Sequence, residues 1–394
     1  MSKHRILIIG GGFGGTKVAL ELSQHPEFEV TLVSDRPDFR YYPSLYKTAT
    51  GGRRDISSVP LTEIFKNRPI HSIISRAISM DRASKTITLT DNQVLPFDSL
   101  VLALGMQTNY FNIKGLDKFS YGIKTIDEAE KLKRHLHEQV IDDKHLDLNY
   151  VIVGGGATGL ELAGALPSYL KYIAKKHSIK HSAIRVSLVE AAPRLVPKMP
   201  KDFSKTIARH LRKTGVKLYL DTAVLAETAE TLTLDDKKLH SETVIWTAGV
   251  TNNPFYTDNN FQINKQGKVR VNQFLQAEQD IYVIGDNTDT PYSGTAQTAL
   301  YDGKYIANSL IRVVKGGEDM PPYVAKKPIY VLPAGDKWAA VLWGKVRIYG
   351  RMGYALRRAA DLIAYHDYEP WRIATKRWVA EDDREEFCPI CKNI

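Results

Sequence analysis

Residues 10–15 have the spacing Gly-x-Gly-x-x-Gly, which is typical of chains that bind the diphosphate of a dinucleotide. The apolar residues 6–9 predict a buried strand before this segment, and Val18, Ala19 and Leu22 predict a helix after it. In that setting one glycine makes a tight turn, another lets the backbone approach a diphosphate, and the third lets the helix pack on the strand. The helix N-terminus then offers free N–H groups and a positive dipole end to the phosphates.

A second segment, residues 154–159, repeats this spacing after an apolar strand pattern. Gly10 and Gly154 are 144 residues apart, and Gly105 and Gly249, which end two later apolar strands, have the same separation. Because two pairs of glycines have the same separation, we predict two copies of one structural unit. Each copy is predicted to contain a small antiparallel meander, at about residues 73–97 in the first and 216–239 in the second. The predicted fold class is α/β, with two Rossmann-like dinucleotide-binding domains, each carrying a meander insertion, and a C-terminal α+β module.

The length of 394 residues favours two or three domains, and 43% apolar with 25% charged residues is typical of a soluble globular protein. No uncharged apolar run approaches the ~20 residues of a membrane-spanning helix. The chain enters a strand directly, so we expect no signal peptide and a location in the cytoplasm or on the cytoplasmic side of the cell membrane. The net charge of +10 predicts an anionic partner, such as membrane lipid, nucleic acid or a nucleotide.

The two cysteines, Cys388 and Cys391, lie in the C-terminal tail, so we predict no disulfide framework. Their Cys-x-x-Cys spacing is compatible with half of a zinc site completed by a second subunit, with a redox pair or with a plain tail. We predict no metal site. Cys388 and Cys391 are the only candidate ligands for one.

A ribose-binding residue is expected at the end of the second strand of each copy. Glu190 ends that strand in the second copy, and its carboxylate would accept both ribose hydroxyls and repel a 2′-phosphate, which favours NADH over NADPH. Arg194 lies nearby and leaves this preference open. In the first copy Asp35 is within reach of the role; if the strand ends one residue earlier, Ser34 takes the ribose position and Asp35 flanks it.

An aromatic segment at residues 39–46 precedes the pair Gly51-Gly52. Four aromatic residues within eight positions predict either a wall beside a flat ring system or a tyrosine-rich loop that packs on the core.

Several of these motifs resemble the flavoprotein disulfide reductase superfamily, whose members bind two dinucleotides. Residues 154–164 (GGGATGLELAG) and 245–250 (IWTAGV) are similar to the type II NADH:quinone dehydrogenases within it, as are the residues Ala296-Gln297-Thr298-Ala299. The resemblance covers about residues 5–310. It implies FAD at the first glycine loop, NADH at the second, and a homodimeric protein attached to one membrane surface that reduces quinone.

This resemblance assigns residues 1–112 and 251–320 to an FAD-binding domain, 113–250 to an NADH-binding domain, and 321–394 to a module for membrane attachment and dimerisation. The carboxylate of Asp286 is expected on the ribityl hydroxyls, and the helix that begins near Ala296 is expected to direct N–H groups at flavin N1 and O2. The predicted FAD-binding residues are Gly10, Gly12, Phe13, Gly14, Gly15, Ser34, Asp35, Arg36, Tyr42, Pro43, Ala77, Gly105, Gly285, Asp286, Ala296 and Gln297. The predicted NADH-binding residues are Gly154, Gly156, Ala157, Thr158, Gly159, Glu161, Glu190, Ala248 and Gly249.

Glu161, Gln297 and Tyr301 are the predicted catalytic residues. Glu161 could simply be a carboxylate that the helix dipole favours; by resemblance it matches a glutamate between nicotinamide and flavin that positions NADH or supplies a proton to quinone. The quinone motif of the family is Ala-Gln with a second glutamine four residues after the first. This chain has Tyr301 at that second position and Asp302 where glutamine or glutamate is usual. A phenol can hydrogen-bond a quinone carbonyl, so quinone use is retained and the quinone type stays open.

Between residues 322 and 378 the chain has eleven lysines and arginines against four acidic residues. An apolar stripe at helical spacing has charged neighbours in this segment, and two tryptophans flank further cations. These features predict an interfacial membrane helix or, alternatively, a basic surface helix that packs on its own core. The stripe is Met352, Leu356, Ala359, Ala360 and Ile363, its charged neighbours are Arg351, Arg357, Arg358 and Asp361, and Trp371 and Trp378 flank Arg372, Lys376 and Arg377.

The predicted function is hydride transfer from NADH to flavin N5 and transfer of two electrons to a membrane quinone, with no nucleic-acid partner. Sulfide:quinone, disulfide, coenzyme-A-disulfide and peroxide reductases need cysteines beside the flavin, which this sequence lacks. A soluble ferredoxin or rubredoxin reductase remains an open alternative, as does a non-enzymatic flavoprotein that senses NADH and has a basic binding surface.

Overall fold

The computed structural model describes residues 3–141, 149–179, 184–317 and 321–385, and its elements are given in chain order. The first part contains β1 (His4–Ile9), α1 (Phe13–Leu22), β2 (Phe28–Ser34), β3 (Asp38–Arg40), α2 (Leu45–Ala49), β4 (Ser58–Pro60), α3 (Leu61–Ile64), β5 (Ile70–Ile74), β6 (Ala77–Asp81), β7 (Thr86–Leu89), β8 (Val94–Pro96), β9 (Ser99–Leu102) and β10 (Gln107–Thr108). The second part contains α4 (Leu116–Phe119), α5 (Ile126–Ile141), β11 (Asn149–Val153), α6 (Ala157–Lys176), β12 (Arg185–Glu190), α7 (Lys201–Lys213), β13 (Val216–Leu220), β14 (Val224–Glu227), β15 (Thr231–Leu234), β16 (Lys238–His240), β17 (Val244–Trp246) and β18 (Val250–Thr251). The third part contains α8 (Phe255–Asp258), β19 (Gln276–Glu278), β20 (Ile281–Val283), α9 (Ala296–Val314), β21 (Tyr330–Pro333), β22 (Ala339–Trp343), β23 (Val346–Gly350), α10 (Arg351–His366) and α11 (Trp371–Ala380).

The first sheet has the strand order β19-β20-β9-β1-β2-β5, with β1 parallel to both of its neighbours. Its central strand is an unbroken apolar run because both faces of a parallel sheet are covered, and residues 6–9 are all buried. The meander of this half is β6-β7-β8. The predicted start at residue 73 is wrong, because Ile70–Ile74 pairs parallel with β2 in the main sheet.

The second sheet has the order β13-β12-β11-β17 and repeats the β2-β1-β9 arrangement of the first. The last residue of β11, Val153, pairs with Val189 just as Ile9, the last residue of β1, pairs with Val33. The meander here is β14-β15-β16, and its predicted start at residue 216 is wrong because Val216–Leu220 is a parallel strand. The predicted α/β fold class with two similar halves is confirmed.

Two short strands connect the halves where the chain passes between them. Gln107 and Thr108 of β10 pair antiparallel with Thr251 and Val250 of β18. The first sheet takes strands from before β10 and from after β18, and the second sheet lies between them in sequence. These memberships support the predicted domain limits, which remain a prediction.

The C-terminal part is packed on both halves, and this differs from the prediction of a separate module. The sheet β21-β22-β23 lies against α6, where a Cβ on Gly164 would lie 2.2 Å from the backbone of Ala334. The helices α10 and α11 join the core of the first half through Tyr365, Tyr368 and Ala374. The C-terminal part therefore contacts both halves and brings its own side chains to the space between them.

Candidate functional site

The two glycine loops share one backbone geometry and leave the same space in front of them. Gly10 and Gly154 have φ of +117° and +114°, a conformation in which an L side chain is strained. Nothing lies within 4 Å of where a Cβ of Gly12 or Gly156 would be, so each loop is open at this position. A Cβ on Gly15 would lie 2.0 Å from a backbone oxygen of the strand-to-helix turn, so α1 needs glycine there to pack closely. Both loops therefore fit a diphosphate at a helix N-terminus.

The helix N-termini behind these loops are not capped by side chains. Gly12 is the N-cap of α1 and Gly156 is the N-cap of α6, and neither has a side-chain cap hydrogen bond. Ala157 and Thr158 form the exposed first turn of α6. The first N–H groups of both helices are thus available to a bound anion.

The end of the second strand lies behind the middle of each glycine loop. A Cβ on Gly11 would lie 2.8 Å from the Ser34 hydroxyl, and one on Gly155 would lie 2.9 Å from a carboxylate oxygen of Glu190. Ser34 is therefore the positional equivalent of Glu190, and Asp35 follows it at the cleft. This geometry favours Ser34 for the position equivalent to the ribose acid, with Asp35 beside it.

Glu190 is held by the backbone on both sides of its strand end. One carboxylate oxygen accepts the N–H of Gly155, and the other accepts the N–H of Ala192 at 2.7 Å. Arg194 donates to the carbonyl oxygens of Pro197 and Met199, so its own loop engages its guanidinium group. Arg194, the cation next to the predicted ribose site, is therefore hydrogen-bonded within its own loop.

A cleft extends from the first glycine loop towards α5 and brings several predicted FAD residues together. It is lined by Gly10, Asp35, Arg36, Tyr42 and Ala77, and also by Arg40 and Lys124, which sequence reasoning missed.

The turn after β20 forms a second part of this site. Gly285 has φ of +76° and donates its N–H to Asp302 at 2.9 Å, and Asp286 follows in a half-buried position. Asp302 also accepts the hydroxyl of Tyr323. Burial raises the pKa of Asp302 to about 6, opposed by these two hydrogen bonds. Asp302 thus supports the Gly285-Asp286 turn from beneath, and it is not directed to an acceptor as its position in the quinone motif suggested.

Gly105 and Gly249 end the equivalent strands of the two halves. Gly105 has φ of +68°, and its N–H donates to the side-chain oxygen of Asn287 at 2.7 Å. A Cβ on Gly249 would lie 2.2 Å from the Asn109 carbonyl oxygen, so this glycine allows a close approach between the connecting strands. Ala248 is exposed beside the second glycine loop.

Glu161 lies in a buried ion-pair network that connects α6, the aromatic segment and α10. Arg357 Nη1 is 3.1 Å from Glu161 Oε1, and Arg357 Nε is 2.8 Å from Asp361 Oδ2. Arg357 also donates to the Pro43 carbonyl oxygen at 2.6 Å, and the Tyr41 hydroxyl donates to Asp361 at 2.7 Å. Burial raises the pKa of Glu161 to about 7 despite the opposing charge of Arg357. A carboxyl group with such a pKa can hold or release a proton near neutral pH.

Gln297 and Glu161 are approached by the same short segment of the C-terminal part. The N–H of Ile329 donates to Gln297 Oε1 at 2.8 Å, and the carbonyl oxygen of Val331 accepts from Arg357 at 3.5 Å. Tyr301 lies one helical turn after Gln297 on α9, with the ammonium group of Lys326 5.3 Å from the centre of its ring. Gln297 directly, and Glu161 through Arg357, are thus connected to residues 329–331 at the start of β21.

The predicted charged border of α10 is wrong in part. Arg357, Arg358 and Asp361 were expected beside the apolar stripe as part of a basic rim, but all three are buried and form ion pairs. Met352 and Ile363 of the stripe are 68% and 60% exposed, as an interfacial helix requires. Arginine and aspartate four residues apart on a helix can pair directly, and this spacing was the signal that sequence reasoning missed.

Among the described residues, every helix is too short or too polar to cross a membrane. The candidate metal ligands Cys388 and Cys391 lie outside the described residues.

Known proteins resemble this chain in sequence and in fold. The chain is 28% identical to a Type II NADH:quinone oxidoreductase of Staphylococcus haemolyticus over 92% of this chain and 95% of that protein. It is also 28% identical to the Type II NADH:quinone oxidoreductase NdhA of Mycobacterium tuberculosis over 90% of this chain and 80% of that protein. NDH2 of Plasmodium falciparum, solved in complex with NADH, has the same fold with a TM-score of 0.85 and 18% identity over 96% of this chain and 97% of that one.

A sulfide:quinone oxidoreductase of Aquifex aeolicus shares the fold as well, with a TM-score of 0.79 and 19% identity over 94% of this chain and 92% of that one. The family model of pyridine nucleotide-disulphide oxidoreductases matches residues 4–303, which include both glycine loops. The chain therefore belongs to the pyridine nucleotide-disulphide oxidoreductase family.

Proposed function

We propose that this protein is an FAD-dependent NADH:quinone oxidoreductase of the type II class. The observation that carries the proposal is the duplicated glycine cradle, in which the open positions at Gly12 and Gly156 leave space for one diphosphate each. The relatives named type II NADH:quinone oxidoreductases support it over more than 90% of this chain's length.

FAD fits the first cradle, because the cleft begins at Gly10 and the Gly285-Asp286 turn follows Ile284, which would lie 2.8 Å from a Cβ on Gly14 of the same loop. Gly12 and the first N–H groups of α1 would hold the diphosphate, and Asp286 would accept the ribityl hydroxyls. The capping box of α9 uses the Thr298 N–H, so the N–H groups of Ala296 and Gln297 remain for the flavin pyrimidine oxygen. When bound, FAD would supply the group that accepts hydride from NADH and passes electrons to quinone.

Side chains and backbone groups of the protein would bind NADH and quinone and supply the proton. Gly156 and the N-terminus of α6 would bind the NADH diphosphate, while Glu190 would accept the ribose hydroxyls. Arg357 holds the Glu161 carboxyl group in place, and burial allows this group to keep a proton for the acceptor. Gln297 and Tyr301 would donate hydrogen bonds to the quinone carbonyls.

An anaerobic titration of the purified yellow protein tests this function. NADH should bleach the flavin absorbance at one equivalent per flavin, and a menaquinone or ubiquinone analogue should then restore it. A flavin that remains reduced after the quinone is added would show that the quinone assignment is wrong and would favour a soluble protein acceptor.

The preference for NADH is expected to depend on the charge of Glu190. Replacing Glu190→Gln keeps an oxygen for the Gly155 N–H but removes the repulsion of a 2′-phosphate. The ratio of kcat/KM for NADH to that for NADPH should fall about 10-fold or more, since charged hydrogen bonds contribute about 1.5–3 kcal/mol. Steady-state kinetics with both nucleotides measure this, with the exposed Glu230→Gln as the control. An unchanged ratio would contradict the role of Glu190.

The exposed face of α10 supports attachment to an anionic membrane surface. Met352 and Ile363 point away from the protein, and Trp371 at the start of α11 is 54% exposed. The exposed cations Arg351 and Arg372 lie at the start of α10 and on α11. An apolar helix face bordered by tryptophan and cations is typical of a helix that lies in the membrane interface. We therefore propose that the protein is peripheral and attaches to the membrane through this face; the cytoplasmic side and a homodimer are proposed from the family resemblance alone.

The double replacement Met352→Asp and Ile363→Asp is expected to abolish sedimentation with vesicles of anionic lipid, because it places two carboxylates at the lipid contact. Its melting temperature should stay close to that of the parent protein, since both side chains are exposed. A matched control is Ile78→Asp with Val94→Asp, which changes two exposed apolar residues of the first meander. If the α10 variant still sediments with the vesicles, another surface attaches the protein.

A further inference from the structure

Lys124 lies on the segment that leads from the first half of the molecule into α5, and its backbone is fixed there. The N–H groups of Lys124 and Thr125 donate to the Glu128 carboxylate at 2.6 and 2.9 Å. The next turn is pinned to the first half by Arg36, whose guanidinium group is 2.9 Å from Asp127. The side chain of Lys124 therefore enters the cleft from a rigid support.

The ammonium group of Lys124 faces a tyrosine ring and has no acceptor of its own. Its Nζ is 5.0 Å from the centre of the Tyr42 ring, and within the described residues no oxygen is within hydrogen-bonding distance of it. By contrast, the half-buried Lys47 and the buried Lys133 are paired with carboxylates at 2.6 and 2.9 Å. Burial lowers the pKa of Lys124 for want of such a partner, although Asp286 partly opposes the shift.

A second cation lies against the same ring. The guanidinium carbon of Arg40 is 5.6 Å from the centre of the Tyr42 ring, and the nearest carboxylate to Arg40 is Asp35 at 3.8 Å. Two cations that share one phenol ring in a partly buried cleft repel each other and lose hydration. Both residues line the same cleft, so an anion bound there would offset their charge and replace part of the lost hydration.

The carboxylates near the two cations indicate which anion this is. Asp286, proposed for the ribityl chain, favours the charged form of Lys124, while Arg40 is 3.8 Å from Asp35 at the ribose end. In FAD the diphosphate is the part between the ribityl chain and the adenosine ribose. Gly10 of the first glycine loop lines the same cleft as Lys124 and Arg40.

We propose that Lys124, assisted by Arg40, binds the diphosphate of FAD and retains the cofactor in this protein. The proposal rests on FAD binding at the first glycine loop. In a Rossmann site the backbone of the loop alone can hold a diphosphate, and here a lysine carried by the connection to the second half adds a charged contact. The bound cofactor would thereby connect the two halves through α5.

Replacement Lys124→Met in the holoenzyme should release FAD about 10- to 100-fold faster, the range expected for a lost hydrogen bond to a charged group. Dissociation is followed by the rise in flavin fluorescence after dilution and by the FAD content after ultrafiltration. Lys124→Arg should retain most of the affinity, because a guanidinium group still contacts phosphate oxygens. Lys118→Met is the matched control, since Lys118 lies 5.0 Å from the Phe119 ring but is exposed.

The midpoint potential of the flavin separates diphosphate binding from contact with the flavin ring. A diphosphate contact predicts an unchanged potential in Lys124→Met, together with faster FAD release. A changed potential with normal FAD retention, or normal retention and potential together, would overturn the proposal. If the parent protein binds no FAD at all, the proposed function itself fails, and this outcome is distinct from the other two.

Discussion

Replacing Arg357 by leucine is expected to lower the free energy of unfolding by about 3–5 kcal/mol, the usual cost of removing one partner from a buried ion pair. Arg357 is buried and contacts Glu161, Asp361 and the Pro43 carbonyl oxygen. Leucine would leave two carboxyl groups in the interior with one cation fewer. Because the contacts come from α6, α10 and the aromatic segment, the loss should also loosen the C-terminal part against both halves.

Urea unfolding in the presence of excess FAD measures this effect. Arg351→Leu is the matched control, because Arg351 lies on the same helix but is exposed, and its replacement should change the free energy by less than about 0.5 kcal/mol. The free energy of unfolding of Arg357→Lys should lie between those of the two leucine variants, since lysine keeps the charge but loses the geometry that allows three contacts. Equal stability of the Arg357 and Arg351 leucine variants would show that the network does not hold the C-terminal part.

The two similar halves of the fold could be predicted, because the sequence patterns that define them are local. Each glycine loop is preceded by an apolar strand and followed by a helix, and the separation of 144 residues recurs at Gly105 and Gly249. The glycine geometry then follows from close approaches that no other residue tolerates, such as the 2.0 Å distance at Gly15. Dinucleotide binding could therefore be inferred from the sequence, because these close approaches require glycine at fixed positions.

The limits of the meanders were less predictable, because a short β-rich segment can join either sheet. Ile70–Ile74 and Val216–Leu220 directly precede the two meanders, but they pair parallel with β2 and β12. Which partner a strand takes depends on the layers that cover it, and a single sequence does not contain that information.

The buried charges of α10 could not be predicted for a related reason. Charged side chains of a surface helix are normally exposed. Here Arg357 finds its partner Glu161 196 residues earlier in the chain, so the charged face is the buried one. Only the folded arrangement shows that these charges are paired, whereas the exposure of Met352 and Ile363 is what an interfacial helix requires.

Replacing Glu161 by glutamine is expected to slow quinone reduction about 100-fold, at the lower end of the range for loss of a general acid or base. Burial raises the pKa of Glu161 from 4.5 to about 7, so the carboxyl group is protonated below neutral pH and ionised above it. A proton donor with this pKa predicts that the rate of quinone reduction falls as the pH rises through about 7. Glutamine cannot exchange a proton, so the variant should lose this pH dependence together with the rate.

Stopped-flow measurement of the two half-reactions separates the two roles considered for Glu161. Loss of proton supply slows the reoxidation of the flavin by quinone, whereas loss of NADH positioning slows its reduction by NADH; we expect the first. Glu227→Gln is the matched control, because Glu227 is a buried carboxyl group of the same half whose pKa burial raises to about 8, away from the site. If Glu161→Gln leaves the reoxidation rate and its pH profile as they are, the proton comes from elsewhere and Glu161 serves the Arg357 network alone.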